Sequence, residues 1–413
     1  MHLTDDEKRA LNGEFGEPQR IALQVLAKLG EACGAERMVE IVSAHLVASS
    51  YQIAGEAGIE VYSQLVAQGA TVKVRTTSDP GSIDFARWRE FKTPEGYAAR
   101  QVRIAELLDQ MGVIPTWTCT PYTTFNVPRF GDHLGWSESS AVVFANSAIG
   151  ARTNRLAAYV DLCAALSGRV PCFGLHLSEN RRGQVLFQIA PDLAADFQDH
   201  YFPALGYLVG QAVGDRVPVI LGLRQASFDQ LKAFGAASAA SGSVALYHMV
   251  GITPEARSLE EAFGGRPPAE RTHVGRQQIA AIMEQMGALT EGPIDVVGLG
   301  CPHASIDQMR RYAGLLEGKR VHPNVQLWIC ANVVVEEMAR KMGYVAIIER
   351  AGAKLMVGTC HNDCPLEAWK FRRLITDSGK FAYYTPTTVG TQCVFASTEA
   401  CVRTAIAGKV EEA

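Results

Sequence analysis

Basic residues number 39 against 43 acidic ones, for a formal charge of −4, and no basic stripe stands out. That argues against a nucleic-acid partner, because phosphate backbones are gripped by clustered Lys and Arg. No apolar run reaches roughly 18 residues, the length a membrane-spanning helix needs, so no membrane partner is expected. The opening Met1-His2-Leu3-Thr4-Asp5-Asp6-Glu7 is polar and acidic, unlike a secretory signal. A cytoplasmic location is expected, and there the ten cysteines stay reduced. None of them forms a Cys-x-x-Cys pair, so the usual zinc spacing is missing. Internal repeats and low-complexity tails are absent as well.

What is present is an ordinary globular composition, 47% hydrophobic and 20% charged, over a length that exceeds one typical domain. Two domains or one large doubly wound unit are expected. Apolar runs alternate with helical patterns along the whole chain, which predicts an α/β architecture with largely parallel sheets flanked by helices. Strands are expected at 39–42, 71–74, 114–117, 141–144, 172–176, 217–223, 244–248, 294–299, 325–329 and 354–357. The stretch 258–272, with Gly264-Gly265 and Pro267-Pro268, is the one candidate sub-boundary within 1–413.

The densest chemistry lies between Trp117 and Arg155. It holds Trp117-Thr118-Cys119-Thr120-Pro121-Tyr122, Ser137-Glu138-Ser139-Ser140, Ala145-Asn146-Ser147 and Gly150-Ala151-Arg152-Thr153-Asn154-Arg155. A thiol, hydroxyls, amides and two arginines suit a pocket for a metal and a small anion better than a core. Arg152 and Arg155 fall where a helical pattern begins, so guanidinium forks and helical N–H groups are expected to converge on a carboxylate or phosphate.

Three cysteines, Cys119, Cys301 and Cys360, are expected just beyond strand ends, where open α/β sheets bind ligands. Turn-forming neighbours surround them: Thr118 and Thr120, Gly300 and Pro302, Thr359. Three thiolates from distant segments suit an iron–sulfur cluster with one iron left open. Buried core thiols, or zinc, are the other readings of the same pattern. Cys33, Cys163, Cys172, Cys330 and Cys401 are expected to be structural, while Cys364 and Cys393 stay open. His45, His176 and His303 follow or end strands and are candidates for a base or a structural role. Lys380, in Thr376-Asp377-Ser378-Gly379-Lys380, is a further anion-binding candidate.

With these motifs in hand, the chain resembles the large, catalytic portion of the aconitase X family. The resemblance runs through Ser43-Ala44-His45, Trp117 to Tyr122, Ser137 to Asn146, Gly150 to Arg155, Gly174 to Arg181, Gly251 to Ala256, Gly300-Cys301-Pro302-His303, Gly358-Thr359-Cys360 and Ser378 to Tyr384, and so covers essentially the whole chain. It implies an aconitase-like fold and an iron–sulfur hydro-lyase acting on a small hydroxy acid, with Cys119, Cys301 and Cys360 as metal ligands. It further implies substrate contacts from His45, Tyr122, Ser139, Asn146, Arg152, Arg155 and Lys380. Two substrates are associated with the family, cis-3-hydroxy-L-proline and mevalonate 5-phosphate. The segment Thr153 to Tyr159 lacks the Glu-Gly-Gly associated with the phosphomevalonate branch, which favours the hydroxyproline branch. Family members complete the site with a small swivelling domain that carries a serine base. No such module follows here, so a separate small subunit is expected as partner, with Glu179 or His176 as fallback base. Ala48-Ser49, where a glycine is common, and the added thiol Cys364 depart from the family pattern. The rival of another class is a non-catalytic zinc- or ligand-binding module.

Overall fold

The computed structural model describes residues 1–288, 290–365, 369–388 and 390–410. They divide into two compact units, one of Met1–Ser82 with Pro94–Arg182, the other of Ile83–Thr93 with the chain from Gly183 onward. Apart from the short excursion Ile83–Thr93, the chain passes from one unit to the other at Arg182 and Gly183. The stretch 258–272 lies inside the second unit and carries regular structure, the helix Leu259–Phe263 and the start of the strand Glu270–Val274.

In the first unit a three-stranded parallel sheet runs in the order Arg75–Ser78, Ser43–Leu46, Leu134–Trp136. All four residues of Ser43–Leu46 are buried, as expected of a parallel strand covered on both faces. Helices Glu17–Ala32, Tyr51–Ala67, Glu95–Gln110 and Val160–Ser167 complete the unit, and its core gathers Leu46, Tyr62, Ile104, Leu107, Leu162 and Val170.

The second unit holds two parallel sheets. One orders His248–Met249, Pro218–Leu221, Val185–Ile189 and Glu270–Val274. The other orders Lys354–Val357, Gln326–Ala331, Val296–Leu299, Arg373–Thr376 and Gln392–Phe395. In this five-stranded sheet the chain steps outward from Val296–Leu299 in one direction, then returns to Arg373–Thr376 on its other side. Two neighbouring strands whose connections leave in opposite directions open a crevice at their carboxyl ends, the usual ligand position in such sheets.

Several expected strands take other forms. Ala141–Phe144 lies in the helix Ser139–Phe144. Its four residues are fully buried, so they show no period by which helix and strand could be told apart. The Glu138 side chain caps this helix by accepting the Ala141 N–H. Residues 114–117 make a single bridge, Ile114 to Thr77, and Trp117 has a left-handed φ of 45°, which no strand accommodates. Residues 172–176 end in a short 3₁₀ turn, Gly174–His176. Arg152 and Arg155 do not start a helix, which begins at Val160 after a left-handed Tyr159.

Candidate functional site

At the carboxyl ends of the first unit's sheet, the polar residues close on one another. His45 is fully buried, its Nδ1 lies 2.8 Å from Thr77 Oγ1 and its Nε2 lies 3.4 Å from Asp79 Oδ1. Asn126 donates to the same Thr77 hydroxyl at 3.1 Å and to the Ala44 carbonyl at 3.2 Å. Burial lowers the His45 pKa to about 4, against the pull of the Glu138 carboxylate, so the ring is neutral near pH 7. Tyr122 stacks on Phe144 at 4.0 Å, and the Ser139 hydroxyl donates to Glu138 Oε1 at 3.4 Å. Cys119 is buried in the loop that Thr118 fastens, through its N–H, to the Ser78 carbonyl at 3.1 Å. That loop follows a bridge and not a strand.

A second lattice in the same unit occupies three of the expected site residues. Asn146 donates to the Thr153 carbonyl at 2.8 Å, and its Oδ1 accepts the Thr153 N–H at 3.0 Å. Arg181, buried, donates to Asn146 Oδ1 at 3.2 Å, to the Asn146 carbonyl at 3.0 Å and to the Leu175 carbonyl at 3.1 Å. Arg152 donates to the His176 carbonyl and to Ser178 Oγ, both at 2.9 Å. His176 and His133 meet Nδ1 to Nδ1 at 2.9 Å, so one ring donates and the other accepts. Burial, then His133, Arg181 and Arg152, lower the His176 pKa to about 3. Asn146, Arg152 and His176 therefore fasten the loop after the helix Ser139–Phe144. Arg155 and Glu179 are exposed. Arg181 was not among the expected site residues because two of its three acceptors are backbone carbonyls and the third, Asn146 Oδ1, lies 35 residues away, which no motif announces.

In the second unit the strand ends bring two of the expected thiols together. Val296–Leu299 is followed by Gly300-Cys301, and Lys354–Val357 by Gly358-Thr359-Cys360. Gly300 has a φ of +79°, and a Cβ there would collide with the Cys330 carbonyl, so the turn into Cys301 requires glycine. The Cys301 and Cys360 thiols share a hydrogen bond. That bond, with burial and the neighbouring Cys301 charge, holds Cys360 well above the ordinary thiol pKa, because two adjacent thiols resist ionising together. The Asn362 N–H lies 3.4 Å from Cys360 Sγ and its side-chain amide 3.9 Å from Cys301 Sγ. Cys364 Sγ lies 3.8 Å from the His361 carbonyl, and Cys330 Sγ lies 3.4 Å from His361 Nε2. Among the described residues no three His, Cys, Asp or Glu side chains converge as a metal site, so the thiols form a pair.

Cys301 lines a cavity of about 640 Å³. Gly300 and Cys301 enter it from one side of the crevice described above, Asp377 and Ser378 from the other. Its walls carry five carboxylates, Asp199, Asp229, Asp307, Asp377 and Glu399, against three cations, Lys232, Arg310 and Arg311. Arg311 pairs with Asp199 and Glu399, both at 2.6 Å. Burial raises the Asp377 pKa although Thr398 Oγ1 donates to it at 2.7 Å. Lys380 sits half-buried at the start of the helix Gly379–Thr388.

Family models divide the chain into three domains, the first ending close to the step from Arg182 to Gly183. The aconitase X first domain matches residues 1–179, the second domain 183–284 and the third domain 294–407. The phosphomevalonate dehydratase large subunit of Methanothermobacter thermautotrophicus is 40% identical over 395 residues, 96% of this chain and 96% of that protein. The cis-3-hydroxy-L-proline dehydratase of Pseudomonas aeruginosa is 39% identical over 407 residues, 98% of this chain and 70% of that protein. The crystal structure of Thermococcus kodakaraensis aconitase X in its holo-form superposes with a TM-score of 0.89 at 36% identity, covering 98% of this chain and all of the other. No helix among the described residues is long and apolar enough to cross a membrane. The chain belongs to the aconitase X family and is a hydro-lyase, a dehydratase of carbon–oxygen bonds.

Proposed function

We propose that this chain is the large subunit of an iron–sulfur dehydratase acting on cis-3-hydroxy-L-proline, giving a pyrroline-2-carboxylate. The observation that carries the reading is the Cys301–Cys360 pair, with Cys301 on the wall of a cavity rich in carboxylates. The residues fit a cluster: the buried Cys360 thiol pairs with the half-buried Cys301 thiol, and Asn362 offers two N–H donors to sulfur, the kind that tune such clusters. Cys119 enters as the third ligand on its sequence motif alone. Bound there, a cluster would supply a Lewis-acidic iron for the departing hydroxyl.

The chain's own side chains have other tasks. An excess of carboxylates favours a substrate with a ring ammonium over a phosphate dianion, since like charges repel in a partly dry cavity. We assign the substrate carboxylate to Lys380, two residues beyond the cavity-lining Ser378, where a fixed cation stabilises the negative charge that builds as the adjacent proton leaves. Tyr122, Ser139 and Arg155 are retained as candidate substrate contacts on their motifs. His45, Asn146 and Arg152 are better read as fixing the fold. We assign the base to a small partner subunit, in line with relatives named large subunits. Glu179 is the fallback here, because His176 is buried and committed to His133.

Mevalonate 5-phosphate is the second reading, favoured by the near-complete coverage of the phosphomevalonate large subunits. Turnover by the complex with a small subunit, assayed on both compounds, decides. Dehydration of the imino acid alone is expected. Turnover of the phosphorylated compound alone refutes the substrate assignment, and turnover of neither refutes the reading of the site.

A further inference from the structure

Lys232 is the most deeply buried cation on the cavity wall, only 3% exposed, and the reading above gives it no task. A lysine so buried is costly unless its charge and all three protons are matched. Its charge and two of its protons are matched: Nζ donates to the His303 carbonyl at 3.0 Å and to Gln308 Oε1 at 2.7 Å, and the Asp229 Oδ1 counter-charge lies 2.9 Å away. The other Asp229 oxygen accepts from Ser305 Oγ at 2.6 Å. Ser305 and Gln308 are the reciprocal capping pair of the helix Ile306–Leu316. These contacts close a ring, Lys232–Asp229–Ser305–Gln308, which ties the helix Phe228–Ser241 to the segment just after Cys301.

His303 extends the ring to the other thiol. Its Nε2 lies 2.8 Å from the carbonyl of Thr359, the residue before Cys360. A carbonyl only accepts, so this nitrogen carries the proton and donates. The Ala304 N–H adds a bond to the Cys330 carbonyl at 2.9 Å. Cys301 and Cys360 otherwise leave two separate strands through glycine turns, Gly300 at φ +79° and Gly358 at φ +68°. The His303 bond joins the two loops directly.

We propose that Lys232 and His303 are positioning residues that clamp the Cys301 loop to the Cys360 loop and so set the spacing of the two thiols. The proposal rests on reading those thiols as the ligand pair, but its test does not require a cluster. Phenylarsine oxide bridges two thiols only when they are held close, so its affinity for the reduced, iron-free full chain reports the spacing. His303→Leu and Lys232→Met should weaken that affinity about 10-fold or more, the range for residues that orient metal ligands. His303→Gln, which keeps an N–H able to reach the Thr359 carbonyl, should stay within about threefold of the parent, the usual tolerance for a retained hydrogen bond. Ser227→Ala removes the N-cap of the same helix Phe228–Ser241 and controls for general destabilisation. Parent-like affinity in folded His303→Leu and Lys232→Met overturns the clamp, and so does an equal loss in Ser227→Ala. Should His303→Leu fail to fold, Lys232→Met against Ser227→Ala decides alone. Parent-like affinity in Cys301→Ser would overturn the thiol pairing itself.

Discussion

The two units solve one architectural problem in opposite ways. Each presents loops at the carboxyl ends of a parallel sheet, where polar side chains gather. In the first unit they bond to one another: His45 to Thr77, Asn126 to Thr77, Asn146 to Thr153, Arg181 to Asn146. In the second unit the strand ends border a cavity of about 640 Å³ with a thiol on its wall. A dense run of hydroxyls, amides and arginines is thus no guide to reactivity by itself. Both regions carry matched polar groups, and what separates them is the open space: only the second unit's strand ends line this cavity, and an open cavity binds.

The sharpest way to break this contrast is to mutate each side. In the proposed complex with a small subunit, Cys301→Ala or Cys360→Ala should cut turnover by about 10³-fold or more, as the loss of several kcal/mol of stabilisation by the proposed Lewis acid implies. Loss of less than tenfold would move the chemistry elsewhere. In the first unit, Arg181→Ala should cost about 2–4 kcal/mol of stability by orphaning buried acceptors, read as a lowered denaturant midpoint. A fall in turnover with no loss of stability would make Arg181 part of the chemistry.

Acid sharpens the comparison further. The folded His45 pKa of about 4 lies below the ordinary 6.5, so the unfolded chain takes up the proton first. Stability from His45 is complete above pH 6.5 and is lost as pH falls towards 4, at about 1.4 kcal/mol per unit. Asp161 opposes it: burial raises its pKa to about 6, so its contribution grows as pH falls from 6 towards 3.8. The comparison must therefore be made between variants. Between pH 6.5 and 4 the parent should lose stability relative to His45→Gln, and parallel curves would contradict the buried neutral ring. The smallest effect is expected at the exposed Arg155. Arg155→Ala should leave stability within about 0.5 kcal/mol, while a raised KM would keep it as a substrate contact.

Much of this was legible in the sequence. Val296–Leu299 and Lys354–Val357 are apolar runs closed by glycine, so Cys301 and Cys360 could be set at strand ends from their neighbours alone. The α/β architecture follows from the alternation of such runs with helices. Ala141–Phe144 was misread because a helix buried on every side has no polar face to mark its period. Arg152 read as an anion site because its acceptors, the His176 carbonyl and Ser178, form no recognisable pattern with it. Lys232 stayed invisible for the same reason at greater range, its partners His303 and Gln308 lying 71 and 76 residues away.

Iron content is the most direct test of the thiol pair of the second unit as cluster ligands. Chain purified anaerobically should be brown and contain iron and sulfide. Cys301→Ser and Cys360→Ser should be colourless and iron-free while remaining folded, and Cys33→Ser should match the parent. Iron retained in full by Cys301→Ser and Cys360→Ser, or stoichiometric zinc in a colourless parent, would contradict it.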